Sequence, residues 1–187
     1  MTILEYYFLP YFVVALLWLI ASAAIIVITV IELVKLIGSR KLLSGMGVIK
    51  ILTFCFLTYL TIMPWITRGI IEQIDWKISY NKRLEVVNQV KSRQLNSNVG
   101  FNSWTCRLPY EFPVVSNTGN DIGIHRNLKD STVTVTFFVY RNFFEAPSTH
   151  IIYSNDSLEI QKLERQVLHD NEHNWKIRDN WYRTFGQ

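Results

Sequence analysis

The sequence contains few of the residues that carry covalent or metal chemistry, with two cysteines and four histidines among 187 residues. Cys55 lies in an apolar stretch and Cys106 in the more polar remainder, so we expect no internal disulfide. There is no Gly-x-Ser-x-Gly nucleophile motif and no glycine-rich phosphate-binding loop. These absences exclude the common patterns of covalent catalysis and nucleotide binding, and the sequence predicts no cofactor.

Long runs of one charge are also missing. No five consecutive residues share a sign, and basic and aromatic residues do not alternate as they do on surfaces that bind single-stranded nucleic acid. The formal net charge is +4, and the segment from Arg68 onward contains 15 basic and 13 acidic residues, a net of +2. About half of the excess therefore lies before Arg68, and we predict no nucleic-acid partner.

Two stretches near the N-terminus contain no charged residue, Leu9 to Ile31 and Ile51 to Thr67. They are about 23 and 17 residues long, and an apolar helix of about 20 residues crosses a bilayer. Four basic residues lie between them, and basic loops stay in the cytoplasm; they are Lys35, Arg40, Lys41 and Lys50. The pattern predicts a transmembrane hairpin with spans 9–31 and 48–67, in the plasma or inner membrane, with loop 35–50 cytoplasmic and both termini outside.

Small residues lie midway along the first stretch, at Ala21 to Ala24. Such residues let a second helix approach closely. The second stretch is one candidate partner, and the same stretch of another copy, in a homo-oligomer, is the other. Neither stretch contains an ionisable residue of the kind that marks ion paths, so a pore would need an oligomer lined by threonines such as Thr58 and Thr61.

Beyond the second stretch, apolar residues recur at helical spacing and predict a juxtamembrane helix over 68–95. A separate domain is predicted over 96–187. Its clearest element is a central strand over Thr132 to Phe144, where Val, Phe and Thr alternate. His150 to Ser154 is expected to return beside that strand.

A helix follows, because Asp156 and Glu159 form a capping-box pattern and an apolar stripe continues to about His169. Asn174 to Phe185 closes the chain as one or two strands. The predicted fold class is therefore α+β: a two-helix transmembrane hairpin over 1–67, then a small antiparallel-sheet domain with helices.

Several short motifs of this domain resemble a group of small bacterial membrane-anchored envelope proteins, over roughly Asn81 to Phe185. They are Asn102 with Leu108-Pro109, the run Val135 to Phe144, Tyr153-Ser154 and Asn180-Trp181-Tyr182. The chain departs from the group at Asn142 and at Glu145-Ala146-Pro147, where the group has a small residue and an Asp-Asn-like turn. The resemblance implies a shared fold and an envelope location, and it implies no activity.

The sharpest chemical motif is the segment His169-Asp170-Asn171-Glu172-His173, which fits the inverted zinc-protease pattern His-x-x-Glu-His. On a helix, His169 and His173 would share a face and bind zinc, with Glu172 as the general base. Such a site needs a third protein ligand, and few residues follow the motif. The alternative is the solvated end of a helix, where a histidine interacts favourably with the helix dipole.

Large aromatic side chains are concentrated near the C-terminus and after the central strand. The candidates for contact with a partner are Phe143, Phe144, Trp175, Trp181 and Tyr182. Such rings dominate interface energetics, although a small domain also needs them in its core.

These observations predict a membrane-anchored binding or structural module. Its partners would be the lipid bilayer and a protein outside the cytoplasm, and its form would be an immunity or inhibitor protein or an accessory of an envelope complex. One alternative is a zinc-dependent hydrolase that uses His169, Glu172 and His173. The other is a small oligomeric pore.

Overall fold

The computed structural model describes residues 11–38, 45–100, 102–127, 130–140 and 148–186. The described chain divides into two compact units, one within Pro10–Gln73 and one within Ile74–Gln187. Three long helices come first, and the third begins in the first unit and ends in the second; they are α1 (Tyr11–Gly38), α2 (Gly45–Ile62) and α3 (Pro64–Lys91).

The helices α1 and α2 of the first unit pack side by side and antiparallel. Thr29 and Thr58 share a hydrogen bond of 2.9 Å between their hydroxyls. Nearer the connection, the Glu32 carboxylate lies 3.1 Å from Lys35 and 3.0 Å from Lys50. Because Lys50 and Lys35 donate hydrogen bonds to it, the pKa of Glu32 is lowered. A polar pair and an ion-pair cluster thus join the two helices.

No helix in the described part of the chain combines the length and the apolar character that crossing a membrane requires. The helix α2 has 18 residues, and Lys50 within it leaves an uncharged run of 12 residues from Ile51 to Ile62. A span needs about 20 predominantly apolar residues in succession. The finding contradicts the predicted transmembrane hairpin, the integral membrane location and the cytoplasmic placement of loop 35–50.

A six-stranded antiparallel sheet forms the centre of the second unit, in the order β1-β2-β3-β4-β6-β5. The mixed architecture confirms the α+β class predicted for this part of the chain. The strands are β1 (Thr105–Arg107), β2 (Asp121–Arg126), β3 (Val133–Tyr140), β4 (Ser148–Ser154), β5 (Trp175–Arg178) and β6 (Trp181–Gly186). Two further helices are α4 (Asn117–Asn120) and α5 (Ser157–His169).

The strand β3 is central, as its alternating sequence predicts, since β2 and β4 flank it. Val133, Val135 and Phe137 are at most 2% exposed. They point to what we call the first face of the sheet. Thr134 and Thr136 alternate with them and point to the second face. The predicted end of the strand at Phe144 lies outside the described residues.

The C-terminal half of α3 covers the first face, and it is one continuous helix. Val86, Val87 and Val90 are at most 1% exposed. The Lys91 ammonium donates a 2.6 Å hydrogen bond to the Tyr153 hydroxyl. At the end of the helix, the Arg126 guanidinium donates to the carbonyls of residues 90 and 95, which ties the last turn of α3 and the segment after it to β2.

The second face is covered in part by α5, which packs on β4, β5 and β6. Its Leu163 is 1% exposed. The N-cap is Asp156, as predicted, and its carboxylate accepts from the backbone N–H groups of Leu158 and Glu159. In a capping box, the Glu159 side chain would accept from the Asp156 N–H. Here that N–H donates to the Ser154 hydroxyl at 3.1 Å instead.

Candidate functional site

The predicted zinc motif does not lie on one helix. The helix α5 ends at His169, where the Asp170 N–H closes the last turn on the Gln166 carbonyl at 3.0 Å. Glu172 and His173 follow in a turn, so the spacing that would place both histidines on one helical face is lost. Within the described residues, no group of three or more His, Cys, Asp or Glu side chains could hold a metal ion.

The turn instead has a local structural role. The His173 imidazole lies 3.0 Å from the Asp170 carboxylate, and this hydrogen bond lowers the pKa of Asp170. The His173 ring also stacks on Phe185 at 5.4 Å between centroids. The histidine is therefore held by a carboxylate on one side and by an aromatic ring on the other.

The predicted partner-binding aromatics occupy different environments. Phe143 and Phe144 lie outside the described residues. Trp181 and Tyr182 are 2% and 1% exposed, so they belong to the core, as the alternative interpretation of the aromatic set expects. Trp175 is 40% exposed. Of the predicted rings that the structure describes, Trp175 is the one that lies at the surface.

Trp181 is the centre of an aromatic cluster between the sheet and α3. Its ring lies 5.2 Å from Trp76 and 5.2 Å from Tyr153, both edge-on, and 5.9 Å from Phe137. Edge-on and offset pairs are the favoured geometries of aromatic rings. The cluster stabilises the packing of α3 on the first face, which fixes the position of β6 and of its neighbour β5.

The surface around Trp175 combines aromatic rings with a cation. The Arg183 guanidinium lies over the Trp175 ring at 4.5 Å and over the Phe185 ring at 6.0 Å. This stacking follows from the β5–β6 register, which places Trp175 opposite Arg183. We call Trp175, Arg183, Phe185 and His173 together the Trp175 surface.

Buried hydrogen bonds hold the Trp175 surface in place. Asn174 is 5% exposed, and its amide accepts from the Phe185 N–H at 2.8 Å and donates to the Asp170 carbonyl at 2.9 Å. The Arg183 guanidinium donates to the His173 carbonyl and to the Thr149 hydroxyl. These bonds join the turn, β4 and β6, so the exposed rings stand on a rigid support.

Sequence reasoning identified Trp175 and missed Arg183 and Phe185 as its neighbours. The missing information was strand register. A two-residue connection at Asp179–Asn180 joins β5 to β6, and Asn180 has φ 66°, which is typical of tight hairpin turns. A regular two-residue hairpin turn at that pair would place Trp175 opposite Thr184. The bulge between Lys176 and Arg178 shifts the register by one residue and brings Trp175 opposite Arg183, which the turn alone does not predict.

Comparison of the chain with protein-family descriptions, with curated proteins and with solved structures finds no match. No relative therefore supports the membrane or cell-envelope assignment that the sequence predicted. The Trp175 surface offers flat apolar rings, an ordered cation and a histidine, a combination that suits recognition of another molecule.

Proposed function

We propose that this protein is a protein-binding module without catalysis of its own, and that the Trp175 surface contacts the partner. The observation behind this proposal is that Trp175, 40% exposed, is stacked with Arg183 on a hydrogen-bonded support. The expected partner presents acidic side chains toward Arg183 and apolar side chains toward Trp175 and Phe185.

The composition of the surface supports this use. Residues that dominate binding energy at protein interfaces are enriched in Trp, Tyr and Arg. Binding to ordered side chains also costs less conformational entropy than binding to mobile ones. Arg183 is ordered by its bonds to His173 and Thr149, so it can meet a partner with little further loss of freedom.

The outer strand β5 argues for contact through side chains instead of strand addition. It has four residues, a bulge between Lys176 and Arg178, and a half-exposed lysine at its centre. Short length, bulges and lysine are the features by which proteins discourage pairing at a sheet edge. The partner therefore docks on the rings beside the edge and does not extend the sheet.

A selection experiment can test the proposal without knowledge of the natural partner. Peptides would be selected from a display library against the full chain, and the affinity of each selected peptide would be measured for the wild type and for Trp175→Ala. Loss of a dominant interface residue costs about 2 kcal/mol or more, which corresponds to about a thirtyfold weaker Kd. We expect that loss for most selected peptides, and we expect acidic residues to be enriched among them.

The matched control is Phe112→Ala, because Phe112 is a large exposed ring, 85% accessible, outside the Trp175 surface. It should leave the affinities unchanged. Peptides that bind Trp175→Ala as tightly as the wild type, or that respond more strongly to Phe112→Ala, would refute the proposal.

A further inference from the structure

A groove of about 580 Å³ lies on the second face of the sheet, beside the part that α5 covers. Pockets for small ligands have volumes of this order. Its lining includes Thr134 and Thr136 from β3, His125 from β2, and Asp156, Glu159 and Lys162 around the start of α5. The groove therefore has a sheet floor and a helical wall.

The floor presents polar groups with unused hydrogen-bonding capacity. His125 is exposed and opposite Thr134 in the β2–β3 pairing. Within the described residues, neither the His125 imidazole nor the Thr136 hydroxyl forms a hydrogen bond. Thr134 by contrast shares a 2.8 Å bond with the Ser154 hydroxyl. His125 and Thr136 can thus serve a ligand directly.

The wall contains both signs of charge. The Lys162 ammonium lies 3.2 Å from the Glu159 carboxylate. Asp156 is already saturated, since its carboxylate accepts from Asn127, Thr132 and the first backbone N–H groups of α5. Those bonds, the one from Asn127 first, lower the pKa of Asp156. Arg126 also lines the groove, so the lining contains two basic and two acidic side chains, and this balance favours a neutral polar ligand over a lone anion or cation.

An aromatic ring flanks the floor. Gly123 pairs with Thr136, and a Cβ atom at Gly123 would lie 2.6 Å from the Trp104 ring. The indole is therefore seated on the sheet where Gly123 leaves room for it, on the same face as His125 and Thr136. Trp104 is still 45% exposed, so it offers a fixed apolar surface beside the polar floor.

We propose that this groove binds a neutral sugar ring, with its hydroxyl groups on His125 and Thr136 and its C–H face against Trp104. A sugar combines many hydroxyl groups, which both donate and accept hydrogen bonds, with an apolar face. His125 and Thr136 in the groove supply the polar complement and the neighbouring Trp104 ring the apolar one, together with the Glu159–Lys162 pair, which can donate on one side and accept on the other. This site is independent of the Trp175 surface and extends the function beyond protein binding.

Saturation-transfer NMR on the full chain with a panel of methyl pyranosides tests the proposal. We expect transfer to at least one sugar, and at least a fivefold weaker affinity for Thr136→Val and for Trp104→Ala. Thr136→Val removes the hydroxyl while keeping a β-branched shape, so its effect reports the polar contact. Unchanged far-UV circular dichroism would show that each variant keeps the fold.

Trp175→Ala is the control, because it changes an exposed ring on strand β5 away from the groove. It should leave sugar binding intact even if it abolishes peptide binding, so the two proposals can fail separately. The sugar proposal is overturned if no pyranoside shows transfer, if transfer occurs but survives both groove substitutions, or if phosphate alone binds.

Discussion

The ion pair between Asp75 and Arg83 yields the sharpest stability prediction. Both side chains are buried, at 0% and 2% exposure, and their closest N–O distance is 2.6 Å. Ser79 donates a further bond to Asp75, and Arg83 donates to the Val115 carbonyl. We expect Asp75→Ala to be severely destabilising, because it leaves the Arg83 charge buried without its carboxylate.

The magnitude follows from the burial of the pair. Removing one partner of a buried ion pair costs about 3–5 kcal/mol, which is a large part of the roughly 5–15 kcal/mol by which domains are stable. Replacing both partners by apolar residues removes the uncompensated charge, so Asp75→Ala combined with Arg83→Met should be more stable than Asp75→Ala alone.

The assay is urea unfolding of the full chain, followed by hydrogen exchange of the β3 amides, which report opening of the second unit. With a slope of about 2 kcal/mol per molar urea, the Asp75→Ala midpoint should fall by roughly 2 M. The control is Glu85→Ala, which breaks the Lys82–Glu85 pair on the same helix. That pair is as short, at 2.7 Å, but its side chains are 34% and 51% exposed, so the loss should stay below about 1 kcal/mol.

Equal losses in the free energy of unfolding for Asp75→Ala and Glu85→Ala would contradict the prediction. So would a double variant that is less stable than Asp75→Ala, because relief of an unpaired buried charge would then not be the dominant effect. Either result would mean that the helix tolerates the charge by a local rearrangement that the packing around Val115 and Phe137 does not indicate.

Two further predictions concern stability. Burial, with Glu164 nearby, raises the pKa of Tyr182 to about 12, above its ordinary value of about 10. The neutral hydroxyl therefore stabilises the fold below about pH 10, and this contribution is lost as the pH rises through about 12. In an alkaline stability series, Tyr182→Phe should lose less stability than the wild type. Asn120, 0% exposed, accepts from the N–H groups of residues 115 and 116 and donates to the carbonyls of residues 110 and 113. Because Asn120→Ala leaves these buried groups unpaired, thermal unfolding should show a loss of stability of at least about 3 kcal/mol. A loss below about 1 kcal/mol would refute that role.

Local sequence patterns predicted the elements that depend on local physics. The alternation around Phe137 predicted β3, and the position of Asp156 before an apolar stripe predicted the start of α5. Both signals arise within one strand or one helical turn, where side-chain period and capping decide the structure. The α+β class follows from such elements.

Features that depend on contacts between distant residues could not be predicted in the same way. The backbone between β1 and α4 follows no periodic pattern, and the side chain of Asn120 holds it by bonds to backbone groups of residues 110 and 115. The zinc motif matched a pattern of residue types, but Asp170 closes α5 before the second histidine. In both places a polar side chain binds nearby backbone groups, Asn120 in the first and Asp170, which accepts from the His173 N–H at 3.2 Å, in the second.

The two candidate sites differ, for the same reason, in how much of each could be predicted from the sequence. Trp175 could be proposed from composition, whereas its partner Arg183 depends on the β5–β6 register, and the groove around Thr136 needs β2, β3 and α5 together.

The Trp175 surface and the groove lie on opposite faces of the sheet. Their main strands, β6 and β3, are separated by β4, which is about 10 Å at the usual strand spacing. Substitutions that far apart, without shared partners, act independently. The combination of Trp175→Ala with Thr136→Val should therefore show the sum of the single free-energy losses in stability, and coupling between them would mean that the sheet transmits strain from one face to the other.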